Sequence, residues 1–191
     1  HLKPLQLGYV ESIRELPGLM MVFIAALTMR VSEPLLATFS LILVAIGLGA
    51  YYTVDSFPPL IAFSLVWSIG LHTWMTVQPS IAMALAEENQ KGRRLGQFNA
   101  VAAVGTICGM GLVLWKGDAL GFHRIFLIAG IIIGIGAISA SRISRDIGHA
   151  KKPRLVFKPA YKKYYILTFL EGCRKQVFMT FAIYALVRNY G

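Results

Sequence analysis

LLATFSLILVAIGLGAYY, Leu35 to Tyr52, is the stretch on which the reading of this chain turns. Eighteen consecutive residues carry no charge. As an α-helix they extend about 27 Å at 1.5 Å per residue, and the hydrocarbon core of a bilayer is about 30 Å thick. Pro34 suits the first turn of such a helix, where a missing N–H costs nothing. Tyr51 and Tyr52 suit the membrane–water interface at its far end. A membrane span is therefore expected from Pro34 to Thr53.

The rest of the chain agrees. Of its 191 residues, 56% are apolar and only 15% charged, where a soluble domain carries about 25% charged residues. Five further stretches are long and apolar enough for a span of about 20 residues. They are Leu5 to Met29, with Pro17 inside it, Pro58 to Leu85, Leu95 to Trp115, Phe122 to Ala140 and Tyr161 to Val187. The expected fold is all-α, a polytopic transmembrane bundle of about six spans. Connections are short except for SRISRDIGHAKKPRLVFKPA, Ser141 to Ala160, which is basic and broken by Pro153 and Pro159. It reads as a linker, residues 142–160, between an amino-terminal bundle (1–141) and a helix that begins a second one (161–191). His1 stands where a methionine would, and Gly191 follows directly on an apolar run; both ends read as cut from a longer protein.

The net charge of +10 lies between the apolar runs rather than along one face, which argues for membrane topology and against a nucleic-acid footprint. If all six spans cross, twelve basic residues fall on one side, among them Arg30, Arg93, Arg94 and the linker cluster. Four fall on the other: Lys3, Lys116, Arg124 and Arg188. The basic side is cytoplasmic, so residue 1 is external and the linker internal, in a plasma (inner) membrane. Cys108 and Cys173 have no redox or metal-ligand spacing and read as small buried apolar groups. No phosphate-binding loop, zinc motif or nucleophile elbow is present. Neither enzyme chemistry, nor a cofactor, nor a metal is expected.

The segment EENQKGRRLGQFNAVAAVGTICGMG, Glu87 to Gly111, resembles the fourth-to-fifth helix turn of the major facilitator superfamily of secondary transporters. Arg93, Arg94 and Gly96 match its basic turn, and Gly105, Gly109 and Gly111 its spaced glycines. LGYVESIRELPGLMMVFIAALTMRVSE is similar to the family's second helix and the loop after it. YYILTFLEGCRKQVFMTFAIYALV is similar to the seventh. The resemblance implies helices two to seven of a twelve-helix architecture, with the missing helices of the same transporter as partners. It also implies alternating-access transport of an unidentified small solute. Two departures stand out. In AALTMRVSEP, Arg30 matches the arginine of the family's loop signature, but the acid and the basic pair are absent. Met110 follows Gly109 where an antiporter signature has proline, so antiport is not implied.

Charges inside spans mark candidate functional residues, because each costs about 2.5–3.5 kcal/mol at a helix centre. Glu171, Arg174 and Lys175 share one helical face through spacings of three and four. They leave a surplus cation suited to an anionic solute group, or they form a structural pair with another helix. Glu11, Arg14 and Glu15 repeat the spacing with a surplus anion. Such a carboxylate could carry a proton through the cycle, or it could belong to a salt bridge at a solvated helix end. His72 is a further proton-titrating candidate or a packing residue; Gln78 and Asn99 are polar candidates. Gly105 with Gly109, and Gly130 with Gly134, are small-xxx-small pairs that let helices approach closely, either as sliding contacts between rocking bundles or as static packing. The competing function is a six-span scaffold with no transport cycle.

Overall fold

The computed structural model describes residues 4–147, 158–176 and 182–190. It contains helices and no strand among the described residues. The chain forms two compact units, His1–Lys152 and Pro153–Gly191.

Among the described residues the first unit holds four α-helices: α1 Pro4–Leu27, α2 Glu33–Gly49, α3 Phe57–Ala84 and α4 Lys91–Ala140. Three of them, α2 with the 3-10 turn Ala50–Thr53 that continues it, α3 and α4, are long and apolar enough to cross a membrane. α1 has the length, 24 residues, but carries Glu11, Arg14 and Glu15. Helix starts follow local chemistry. Ser32 and Ser56 sit in extended backbone immediately before α2 and α3, and each helix has proline in its first turn, where ring and backbone are compatible. Pro17 lies inside α1 and Pro79 inside α3; each removes one backbone donor from its helix.

The stretches expected as the fourth and fifth spans belong to one 50-residue helix, α4, interrupted at Gly121. Gly121 has φ 71° and ψ 158°, a conformation essentially restricted to glycine. It divides α4 into limbs 91–120 and 122–140. Only the second limb packs: Gly130, Ala137 and Ala140 are the buried residues of α4.

The core lies between α2 and α3, around Ala37, Val77 and Ile81 with Leu36 and Trp74 against them. It is built from small residues. A Cβ on Gly70 would lie 2.5 Å from the Ser40 carbonyl oxygen, and one on Gly47 2.6 Å from the Trp67 nitrogen. One on Gly130 would lie 2.8 Å from the Ala45 oxygen and the Gly49 Cα. Close backbone approach of this kind is how helices associate where the solvent is lipid and expulsion of water gives no driving force. Leu19, Phe23 and Leu27 on α1, and Ile131, Ile135 and Ile138 on α4, are exposed. So much outward apolar surface fits a hydrocarbon solvent and not water. Cys108 and Cys173 are exposed as well, contrary to the burial expected of them. Cys108 lies on limb 91–120 of α4, which holds none of that helix's buried residues.

In the second unit, a 3-10 turn, Pro159–Tyr161, leads into α5, Lys162–Gln176, followed by α6, Ile183–Tyr190. The Tyr161 and Tyr165 rings meet edge to face at 6.3 Å. The sixth expected span covers α5 and part of α6; its residues 177–181 lie outside the described ones, as do residues 148–157 of the expected linker and residue 1.

Candidate functional site

α1 and α3 meet through polar side chains. On α1 the spacing of three and four brings Glu11, Arg14 and Glu15 together. The Arg14 guanidinium donates to the Glu11 carboxylate and stands 3.9 Å from Glu15. Its carbon also lies 5.3 Å from the centre of the Trp67 ring on α3, within the range of cation–π attraction. Trp67 Nε1 in turn donates to the Tyr51 hydroxyl at 2.8 Å, and that hydroxyl meets Ser64 Oγ at 2.5 Å. The Tyr51 ring packs edge-on against Phe126 of α4, 5.0 Å between centres. A continuous line of contacts thus runs from α1 across α3 to the 3-10 turn and the packed limb of α4.

His72 sits one turn along α3 from Ser68. Its Nδ1 is 2.9 Å from the Ser68 carbonyl oxygen and 3.1 Å from Ser68 Oγ. Its Nε2 is 3.6 Å from a Glu15 oxygen. Ser68 Oγ donates to the Arg14 carbonyl of α1. Gly18 leaves room for the ring, since a Cβ there would lie 2.7 Å from His72 Nε2.

Glu11, Arg14, Glu15 and His72 are therefore brought into one cluster. Gln78 is half-buried on α3, beyond His72, and Asn99 is exposed on the unpacked limb of α4. Glu171 and Arg174 are exposed on α5 in the second unit, where Lys175 is also helical. Gly96, Gly105, Gly109, Gly111 and Gly134 have open space where a Cβ would stand, and Gly130 alone of the six packs against backbone. Arg30, Arg93 and Arg94 are exposed, and Arg94 donates to Gln97 at 3.2 Å.

Sequence reasoning passed over Tyr51, Ser64, Trp67 and Ser68 as partners of the charges. It also passed over Glu33, which is 3% exposed and accepts from Ser80 Oγ at 2.6 Å. The signal was available in part: Glu33 is the acidic residue of a first helical turn next to Pro34, and Ser64, Ser68, His72 follow one another at intervals of four. An open groove of about 700 Å³ lies at the Gly121 break, lined by Tyr52, Asp55, Asp118, His123 and Arg124 among others; none of the expected site residues reaches it. No group of three or more His, Cys, Asp or Glu placed to hold a metal occurs among the described residues.

No curated protein and no solved structure matches the chain. The family model described as Major Facilitator Superfamily matches residues 1–190, which is nearly the entire sequence. That family consists of membrane transporters and not enzymes. With the apolar helices and their lipid-suited surface, this makes the protein integral to a membrane. The chain belongs to the Major Facilitator Superfamily.

Proposed function

We propose that the chain forms part of a secondary transporter that moves a small solute by alternating access, coupled to protons. In this reading the chain crosses the plasma (inner) membrane six times, as helices two to seven of a twelve-helix protein. Residues 1–141 belong to the amino-terminal bundle. The linker 142–160 is cytoplasmic, residue 1 is external, and residues 161–191 open the second bundle. The break at Gly121 supports two crossings within α4, because a single unbroken 50-residue helix would be about 75 Å long, far more than one bilayer core.

The observation that carries the reading is the cluster of Glu11, Arg14, Glu15 and His72 between two otherwise apolar helices. Ionisable groups within spans are costly to insert and commonly mark solute or proton paths. Arg174 on α5 supplies a second charged position, suited to an anionic group of the solute.

The test is uptake by the complete gene product in proteoliposomes, with sugars, peptides, organic anions and drugs presented under an imposed pH gradient. Saturable, gradient-dependent uptake is expected for one class. Arg174→Ala should abolish it while membrane expression stays at the native level. A folded protein that transports none of them, with or without the gradient, would sink the proposal. Loss of expression with Arg174→Ala would place that residue in a structural pair instead.

A further inference from the structure

We infer that His72 Nε2 and the Glu15 carboxylate form a one-proton site, with Ser68 as its positioning residue. The assignment starts from the other ring nitrogen. Nδ1 lies 2.9 Å from the Ser68 carbonyl oxygen. A carbonyl can only accept, so Nδ1 carries a hydrogen. Ser68 leads to the same answer independently. Its single hydroxyl hydrogen is given to the Arg14 carbonyl, so towards Nδ1, 3.1 Å away, Oγ can only accept. The tautomer of the neutral ring is thereby set, and Nε2 is the nitrogen at which a proton comes and goes.

Nε2 faces Glu15 Oε2 at 3.6 Å. A bare imidazole nitrogen and an ionised carboxylate are both acceptors and repel. One proton between them removes the conflict, whether it resides on Nε2 or on the carboxyl group. The charge balance gives the same count. Glu11, Arg14 and Glu15 together carry one net negative charge, and one proton brings the cluster to zero.

Other titratable groups do not change that count. α1 presents Glu11, Arg14 and Glu15. The one charged residue of α2, Glu33, engages Ser80, eight positions beyond His72 on α3. The packed limb of α4 offers His123 and Arg124, which line the groove at Gly121 beside Tyr52 and Asp55. The 3-10 turn offers Tyr51, held by Trp67 and Ser64.

Two features hold the pair in register. Ser68 Oγ ties α3 to the α1 backbone at Arg14, the residue next to Glu15. Gly18 admits the ring edge, because any Cβ there would overlap Nε2. The site has one open flank: the Glu15 side chain is 45% exposed against 19% for His72. A hydronium ion reaching that flank gives its proton to the pair and leaves as water, and release reverses the step. With the proton present, Nε2 and Glu15 add an attractive α1–α3 contact to the Ser68–Arg14 hydrogen bond and the Arg14–Trp67 stack; without it that one contact turns repulsive and α1 keeps a net negative charge. Proton occupancy is thereby linked to the α1–α3 contact.

The inference rests on the transport reading only for the use made of the proton, so its test requires no solute. The complete protein, labelled with ¹⁵N-histidine in nanodiscs, is followed by NMR across pH, with His72→Gln identifying the His72 signals. Nδ1 should keep the signature of a protonated nitrogen throughout, while Nε2 alone responds. Glu15→Gln should change the Nε2 signal and leave Nδ1 as it was. Ser68→Ala should keep the Nδ1 proton, because the carbonyl remains, and abolish most of the Nε2 response to Glu15→Gln. A neutral His72 protonated on Nε2 would overturn the assignment in the native protein, without reliance on any variant. An Nε2 signal indifferent to Glu15→Gln would remove Glu15 from the site. Either result would leave the transport proposal standing, whereas absent uptake with the expected signals would do the reverse.

Discussion

Two of the contacts that α3 makes are of opposite kinds. Towards α2 it is sealed by glycine and serine, with Gly70 and Gly47 allowing backbones to meet and no charge in the seam apart from Glu33 at its end. Towards α1 it is polar, with Ser68, His72 and Trp67 receiving Arg14 and Glu15. The first seam depends on close backbone fit, with one side-chain hydrogen bond, Ser80 to Glu33, at its end. The second depends on charged and polar side chains, Arg14 and Glu15 against Trp67, Ser68 and His72. α3 carries both chemistries, and they meet at Trp67, whose backbone lies against Gly47 while its ring faces Arg14.

The comparison breaks most visibly at Gly70. A Cβ there meets the Ser40 carbonyl at 2.5 Å and the Val44 nitrogen at 2.8 Å, and backbone cannot swing aside as a side chain can. Gly70→Val should cost about 3 kcal/mol, at the upper end of overpacking. It should appear as a loss of folded protein after solubilisation and a lower unfolding midpoint in a denaturant titration. A variant as stable as the native protein would show that α2 and α3 are not locked by this contact.

The polar seam should respond less. Arg14→Ala removes the guanidinium that Glu11 and Glu15 share and the cation over Trp67. Breaking a fully buried pair costs about 3–5 kcal/mol. Here Arg14 is 26% and Glu15 45% exposed, so about 1–2 kcal/mol is expected. A double-mutant cycle with Glu11→Gln should recover part of it, since contacting residues couple. Additive losses would mean that the two side chains do not depend on one another.

The break in α4 ranks next. Gly121→Ala forces a Cβ into a conformation with φ 71°, at a cost of about 1 kcal/mol. The unfolding midpoint of the complete protein should fall slightly, and Gly121→Asn should fall as far, because ψ 158° lies outside the left-handed region that asparagine tolerates. Equal midpoints for glycine and alanine would mean that the limbs of α4 do not require this bend.

Sequence reading found the apolar helices because a bilayer imposes a length and a composition that any helix must meet. The expected Pro34–Thr53 corresponds to α2 and its 3-10 turn, and Pro58–Leu85 to α3, Phe57–Ala84, each within a residue or so. It separated α4 into two stretches at the right place because Lys116, Asp118, His123 and Arg124 interrupt the apolar pattern around Gly121. What periodicity cannot supply is which faces meet. Glu11, Arg14 and Glu15 visibly share a face, but nothing local says that this face turns to His72 and not to lipid or to α2. Ser64 and Ser68 were passed over for a related reason. A serine in an apolar helix ordinarily bonds its own preceding turn, as Ser40 does to Ala37 at 2.8 Å, so its use as a bridge to another helix is invisible until the helices are placed. The glycines show the same limit: Gly130 and Gly105 head identical motifs, yet only Gly130 has a neighbour.

That last contrast yields the smallest expected effect and the sharpest separation of packing from motion. Gly105 and Gly109 lie on the limb of α4 where a Cβ would meet nothing within 4 Å. Gly105→Ala and Gly109→Ala should therefore move the unfolding midpoint by less than about 0.5 kcal/mol, the range of substitutions that touch no packed feature, whereas Gly130→Ala must displace the backbone of Ala45 and Gly49. If stability is unchanged but uptake by the complete protein falls, the two glycines serve as a surface against which another helix passes during the cycle, because only a contact absent from this state could register the added methyl group. If stability falls as far as for Gly130→Ala, the limb is held in a static seam instead, and the small-xxx-small pairs on both limbs of α4 do the same work.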